Sequence, residues 1–187
     1  MSAGEKIPDD TREVRVDSRT VFDGKLLHVK SDTVRLANGR LTAREWVQHP
    51  GAAMILAMPD DKVVLIRQYR YPLDRYFIEL PAGKIDPGED PLATAKREFI
   101  EECGYEAAEW RHLGTLHPCI GYSNERIELY LAQGLKQIGR ELDDGEFLDV
   151  MHVPLAEALG WVRDGRITEP KAVIGLMWAE KLQRGEW

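Results

Sequence analysis

Between Gly83 and Tyr105 the chain reads GKIDPGEDPLATAKREFIEECGY, which sets the carboxylates of Glu89, Asp90, Glu98, Glu101 and Glu102 around Arg97. Packing alone gives no reason to crowd so much negative charge. On an α-helix each residue advances by about 100°. Leu92, Ala95, Phe99 and Cys103 then form one narrow apolar stripe. Glu98 and Glu102, four apart, stand one above the other on the flank of that stripe, and Glu101 lies further round the same side. Such carboxylates repel, more so when partly buried. A hard divalent cation with oxygen ligands relieves the repulsion and can bridge to substrate phosphates. The alternative is a solvated acidic face with Lys96 and Arg97 as ordinary counter-charges.

The elements that must hold these residues are marked by punctuation and periodicity. Asp90 suits a helix N-cap, Pro91 the first helical position and Gly104 the residue just past the last turn, so the helix is predicted to end at Cys103. Before it, AAMILAM and KVVLIRQY are dense apolar runs of strand length, parted by Pro59-Asp60-Asp61, and FIELP is a shorter one. After it come strand-like WRHLGTLH and RIELYLAQ, a polar loop over 137–146, and the strand FLDVMHV. An amphipathic helix in PLAEALGWVRDG follows, then a last helix over 168–184 with Ala172, Leu176, Ala179 and Leu182 on one side. Residues 20–48 read as three strands, TVFDGKLLHVK, DTVRL and RLTAREWVQ, with a hairpin signal at Asn38-Gly39. The expected organisation is an N-terminal tail and antiparallel β-subdomain over 1–50 and an α/β domain over 51–187, in which a mixed sheet lies between helical layers.

The bulk composition narrows the function classes. A chain of 187 residues, 43% hydrophobic, can build a proper core. A net charge of -7 argues against a general nucleic-acid binder, which needs clustered Lys and Arg. No apolar run approaches the ~20 residues of a membrane span, and MSAGEKIPDD lacks the apolar core of a secretory signal. Cys103 and Cys119 form no CxxC or zinc spacing, and Cys103 sits on the apolar stripe. Two reduced thiols in a cytoplasmic protein is the expectation. His49 and His117 suggest ordinary strand or turn positions.

The acidic segment resembles the signature of the Nudix hydrolases. That pattern is Gly, five residues, Glu, seven residues, Arg-Glu, apolar, any, Glu-Glu, any, Gly, apolar. Here it falls on Gly83, Glu89, Arg97, Glu98, Phe99, Glu101, Glu102, Gly104 and Tyr105, with Phe99 and Tyr105 bulkier than the usual aliphatics. RQYRYP, ELPAGKID, AREWVQHPGA, GYSNERIELYLA and GRITEPKAVIGLMWAE are similar to the branch that cleaves ADP-ribose and nucleotide sugars. The resemblance covers residues 20–184 and implies an α/β/α sandwich carrying the box as loop, helix and loop.

It also implies a site. Glu98 and Glu102 match the main metal ligands, together with the carbonyl of Ala82, and Glu101 matches a ligand to a further cation. Arg97 matches a residue that orients Glu89 or a neighbouring glutamate. The general base and another ligand are expected in the loop GRELDDGEFLDV. Glu146 ranks first and Asp144, one methylene shorter than the expected glutamate, second, with Glu141 and Asp143 as rivals. Arg44 and Arg70 are candidates for the diphosphate, Lys84 for the same anion, and Glu45 and Glu125 for base or ribose groups. Trp46 either stacks on a base or packs. The implied reaction is Mg2+-dependent hydrolysis, with Mn2+ as the alternative metal, of ADP-ribose or a related nucleoside diphosphate sugar. The substrate alternative is GDP-mannose or a broad range of nucleotide sugars. A non-catalytic nucleotide-binding module ranks behind both, since all the box acids are present. Proteins of this kind are usually homodimers.

Overall fold

The computed structural model describes residues 11–187 apart from 141, 143, 144 and 146. The chain divides into two compact units, one running to His49 and taking in Cys119–Glu125, the other comprising Pro50–Pro118 and Arg126–Trp187.

The first unit is a three-stranded antiparallel sheet of β1 (Val14–Asp23), β2 (His28–Arg35) and β3 (Leu41–Gln48), with β2 in the centre. The predicted strand TVFDGKLLHVK is instead a hairpin. Gly24 donates its N–H to the Leu27 carbonyl, so residues 20–23 end one strand and residues 28–30 begin the next. Asp23-Gly24 is the turn signal that breaks the run. The unit is completed by Cys119–Glu125, where the Val47 N–H bonds the Tyr122 carbonyl. The edge strand β1 exposes Val14, Val16, Val21 and Phe22.

In the second unit β4 (Ala52–Ala57), β7 (Ala82–Lys84), β8 (Tyr105–Leu116) and β9 (Ile127–Gln137) form a mixed sheet in the order β7-β4-β9-β8. Its one parallel pairing is β4 with β9. β5 (Lys62–Arg70), β6 (Arg75–Glu79) and β10 (Leu148–Pro154) form an antiparallel sheet in the order β10-β5-β6. The unbroken apolar run of β4 has a simple cause: both faces are covered. Ala53, Ile55 and Ala57 pack with Ala95, Phe99 and Cys103 of helix α1 (Pro91–Cys103). Met54 and Leu56 pack with Ala158 of α2 (Leu155–Arg163) and with Ala172, Leu176 and Ala179 of α3 (Pro170–Gln183). The result is the α/β/α sandwich, with α1 on one side and α2 and α3 on the other.

Helix α1 begins and ends where its sequence dictates. Asp90 accepts from the N–H groups of Leu92 and Ala93, Pro91 opens the helix, and Gly104 adopts φ 74° beyond the last turn. β8 starts at once, five residues before the predicted strand, and its Tyr105 and Trp110 rings lie 5.8 and 6.1 Å from the Phe99 ring. Phe99 is wholly buried and anchors the acidic helix to the sheet. Phe99→Ala is therefore expected to cost about 3–5 kcal/mol of stability through lost transfer energy and the cavity left behind. Urea denaturation measures it, and a loss well under 1 kcal/mol would contradict this anchoring.

Candidate active site

The apolar stripe of α1 fixes which way its carboxylates face. With Ala95, Phe99 and Cys103 buried against the sheet, Glu102 is drawn down beside them and is only 3% exposed, while Glu98 and Glu101 are partly covered. β7 passes alongside. The Ala82 N–H donates to Glu102 Oε2 at 3.1 Å. Gly83 lies under Glu98, and a Cβ there would fall 1.9 Å from the Glu98 carboxylate, so only glycine lets the strand and this side chain approach so closely.

Arg97 ties the rest together. Its Nε and Nη2 donate to the two oxygens of Glu89 at 3.1 and 3.0 Å, a bidentate pair. Nη1 donates to Glu98 Oε1 at 2.8 Å and Glu101 Oε2 at 2.9 Å, and Nη2 also reaches the Lys84 carbonyl at 3.3 Å. One guanidinium thus holds three carboxylates and the short strand. Glu89 is fixed further by the Thr94 hydroxyl at 2.7 Å and the Asp86 N–H at 3.2 Å. The Arg97 hydrogen bonds, then that of Thr94, hold the Glu89 carboxyl well below the usual range, at about 2. The same contacts, Glu89 first, push Arg97 further above its already high value.

A second charged group stands at the end of β5. Arg70 Nε and Nη2 donate to Glu79 Oε1 and Oε2 at 2.6 and 2.8 Å, and Glu79 is only 2% exposed. The charges of Glu102 and Glu169 also act on Arg70, which places it within reach of the acidic helix. Lys84 on β7 is exposed, with its backbone carbonyl engaged by Arg97.

The structure therefore brings together Ala82, Lys84, Glu98, Glu101, Glu102, Arg97 and Arg70. Arg44, Glu45 and Glu125 belong to the first unit. There Arg44 is taken up by Glu13, with Nη2 at 2.5 Å and Nε at 3.0 Å. Glu45 is exposed on β3. Glu125 lies 3.9 Å from His49 Nε2. The Trp46 indole donates to Asp32 at 3.0 Å. Asp144 and Glu146, their rivals Glu141 and Asp143, and the N-terminal tail lie outside the described residues. Cys103 is buried, and that burial pushes its thiol up, as befits a packing residue. Sequence reasoning passed over Glu79, whose signal was an acid inside the apolar run FIELP, and Thr94 and Gly83 as supports of Glu89 and Glu98.

The donor set fits a hard divalent cation. Glu98 and Glu102 offer carboxylate oxygens from one helix face, and the absent Cβ of Gly83 leaves the room that the Glu98 carboxylate occupies. Among the described residues, no group of three acidic, His or Cys side chains is already gathered in ligating geometry, and Glu98 and Glu101 turn to Arg97 instead.

Comparison with known proteins matches two domains along the chain. The NUDIX domain matches residues 47–172, and the nucleoside diphosphate sugar hydrolase N-terminal domain matches residues 13–47. The chain is 38% identical over 171 residues to the methanol dehydrogenase activator of Bacillus methanolicus, covering 90% of this chain and 92% of that one. It is 35% identical over 171 residues to the ADP-ribose pyrophosphatase of Bacillus subtilis, with the same two coverages of 90% and 92%. Among solved structures, an ADP compounds hydrolase superposes with a TM-score of 0.84 at 28% identity, over 94% of this chain and 96% of that one.

The clamp on Glu89 has a pH signature. A carboxyl whose folded pKa lies below its unfolded value stabilises the fold fully above the unfolded pKa and loses that contribution as pH falls through the folded one. For Glu89 the window runs from about 4.5 down to about 2. In Glu89→Gln the fall of stability with acid over that window is expected to be shallower. An unchanged slope of urea stability against pH would contradict the clamp.

Proposed function

The chain belongs to the Nudix family, and on that premise we propose that it hydrolyses the pyrophosphate bond of ADP-ribose or a related nucleoside diphosphate sugar, giving a nucleoside monophosphate and a sugar phosphate. The observation that carries this reading is the gathering of Glu89, Glu98 and Glu101 on Arg97 beside the buried Glu102, with Arg70 close by. The enzyme is a Nudix pyrophosphohydrolase, and enzymes of this family need divalent metal ions.

Glu98 and Glu102, with the Ala82 carbonyl, would hold the metal, and Glu101 a further one; we propose Mg2+, with Mn2+ as the substitute. A bound cation supplies neutralisation of phosphate charge and acidifies a bound water. The chain's own groups do the rest. Arg97 keeps Glu98 and Glu101 from swinging away and holds Glu89 as a fixed strut. Arg70 and Lys84 bind the diphosphate and orient it for in-line attack. Water oxygen bonds to one phosphorus as the bridging P–O bond breaks. Its proton passes to a loop carboxylate, Glu146 in first place and Asp144 in second. Glu45, Glu125 and Arg44 are assigned to the nucleoside and phosphate groups, and the Arg44 pair with Glu13 must then open.

The protein is further proposed to be a cytoplasmic homodimer. The free thiols of Cys103 and Cys119 support the compartment. The apolar side chains exposed on edge strand β1 support the dimer, since an uncovered edge of this kind invites a second copy. Among the described residues, no helix is long and apolar enough to cross a membrane.

Three experiments decide these points. A panel of nucleotide sugars, with phosphate released from the products by added phosphatase, is expected to give AMP and ribose 5-phosphate from ADP-ribose. Glu102→Gln should lower kcat by about two orders of magnitude or more with the fold intact. Undiminished turnover in that variant would sink the mechanism. Light scattering should report a dimer, and a monomer at working concentration would refute it.

A further inference from the structure

A carboxylate that is 2% exposed needs full pairing, because a buried charge without partners is strongly destabilising. Glu79 has that pairing from two directions. Arg70 donates to both its oxygens, and Lys171 Nζ lies 3.7 Å from Oε2. Lys171 is itself held by Glu169 at 2.6 Å, and Glu169 is the N-cap of α3, accepting from the Ala172 N–H at 2.9 Å. Arg70, Glu79, Lys171 and Glu169 thus alternate in charge from the end of β5 to the first turn of α3.

Register shows where this chain of charges points. Ile66 on β5 is the partner of Glu79 on β6, so the two share a face of the sheet, and the alternation of β5 puts Gln68 and Arg70 on it too. Ile66 packs with Ala95 and Phe99 of the acidic helix. Arg70 therefore stands on the α1 side, where the charge of Glu102 acts on it. Its pairing with Glu79 occupies Nε and Nη2 and leaves Nη1 outside the fork. The Arg70 side chain is 44% exposed while its partner is buried, so Glu79 anchors one edge of the guanidinium of a side chain that still reaches solvent.

We propose that Glu79 and Lys171 form a positioning pair that holds Arg70 in place for the substrate diphosphate; this rests on the pyrophosphohydrolase reading of the same site. Neither residue touches the reacting atoms. Glu79 aims the guanidinium. Lys171 offsets the excess negative charge that Glu79 and Glu169 would otherwise place beside an anionic substrate.

The test is a double-mutant cycle read by calorimetric binding of ADP and by the separate values of KM and kcat on ADP-ribose. Arg70→Ala and Glu79→Gln are each expected to weaken ADP binding and raise KM by about tenfold, with kcat changed far less, because a contact made equally in ground and transition states acts on KM. The double variant should bind ADP no more weakly than Arg70→Ala alone. Lys171→Met, at a partly exposed position, should shift binding in the same direction by about two- to fivefold, and that shift should vanish in the Arg70→Ala background. If Glu79→Gln does not fold, the Lys171 cycle carries the test. Wild-type ADP affinity in Glu79→Gln and Lys171→Met, or losses that add in the double variants, would overturn the positioning pair. Unchanged affinity in Arg70→Ala would overturn the diphosphate contact beneath it. Coupled losses in ADP binding with no turnover of any nucleotide sugar would support the pair and sink the hydrolase reading.

Discussion

The site depends on the compensation of crowded negative charge by one guanidinium. Glu89, Glu98 and Glu101 all donate their electrostatic cost to Arg97, whose planar fork serves Glu89 with two N–H groups and Glu98 and Glu101 with the third nitrogen. A lysine, with a compact point charge, could not reproduce this geometry. Glu102 is buried beside this clamp and accepts from the backbone N–H of Ala82.

Everything else in the second unit gives that clamp a rigid base. Phe99 fixes the rotation of α1 about its axis, and the Asp90 cap and Gly104 stop fix its ends. β7 is short, but it is paired with β4 and pinned by the Lys84 carbonyl to Arg97, so the Ala82 and Gly83 backbone is held against Glu102 and Glu98. The neighbouring sheet brings a second arginine and carboxylate pair, Arg70 and Glu79, to the same side. Two arginines are thus each locked by carboxylates, one holding Glu89, Glu98 and Glu101 and the other facing outward.

Much of this was legible in the sequence. Helix α1 was readable to its ends because Asp90-Pro91 and Gly104 are local signals that need no tertiary partner. The burial of both faces of β4 followed from its unbroken apolar run. Other features were not local. β7 has three residues and no periodicity, and it exists only because β4 offers it a ladder. β8 begins five residues early because Phe99 draws Tyr105 and Trp110 onto it, while EAAE shows no clean alternation. The β1–β2 turn was local, but the apolar residues around Asp23-Gly24 masked it. Glu79 read as part of an apolar strand because its partners, Arg70 and Lys171, are distant in sequence. The loop acids Asp144 and Glu146 rest on the resemblance alone.

The central proposal is that Glu98 and Glu102, on the flank of the arginine-clamped acidic helix beside β7, form a divalent-cation site. Titration with Mn2+ in the presence of ADP, read by electron paramagnetic resonance, tests it without reliance on turnover. The account predicts stoichiometric binding to the intact protein and its loss in a folded variant carrying Glu98→Gln and Glu102→Gln. Equal Mn2+ binding by the two proteins would contradict it.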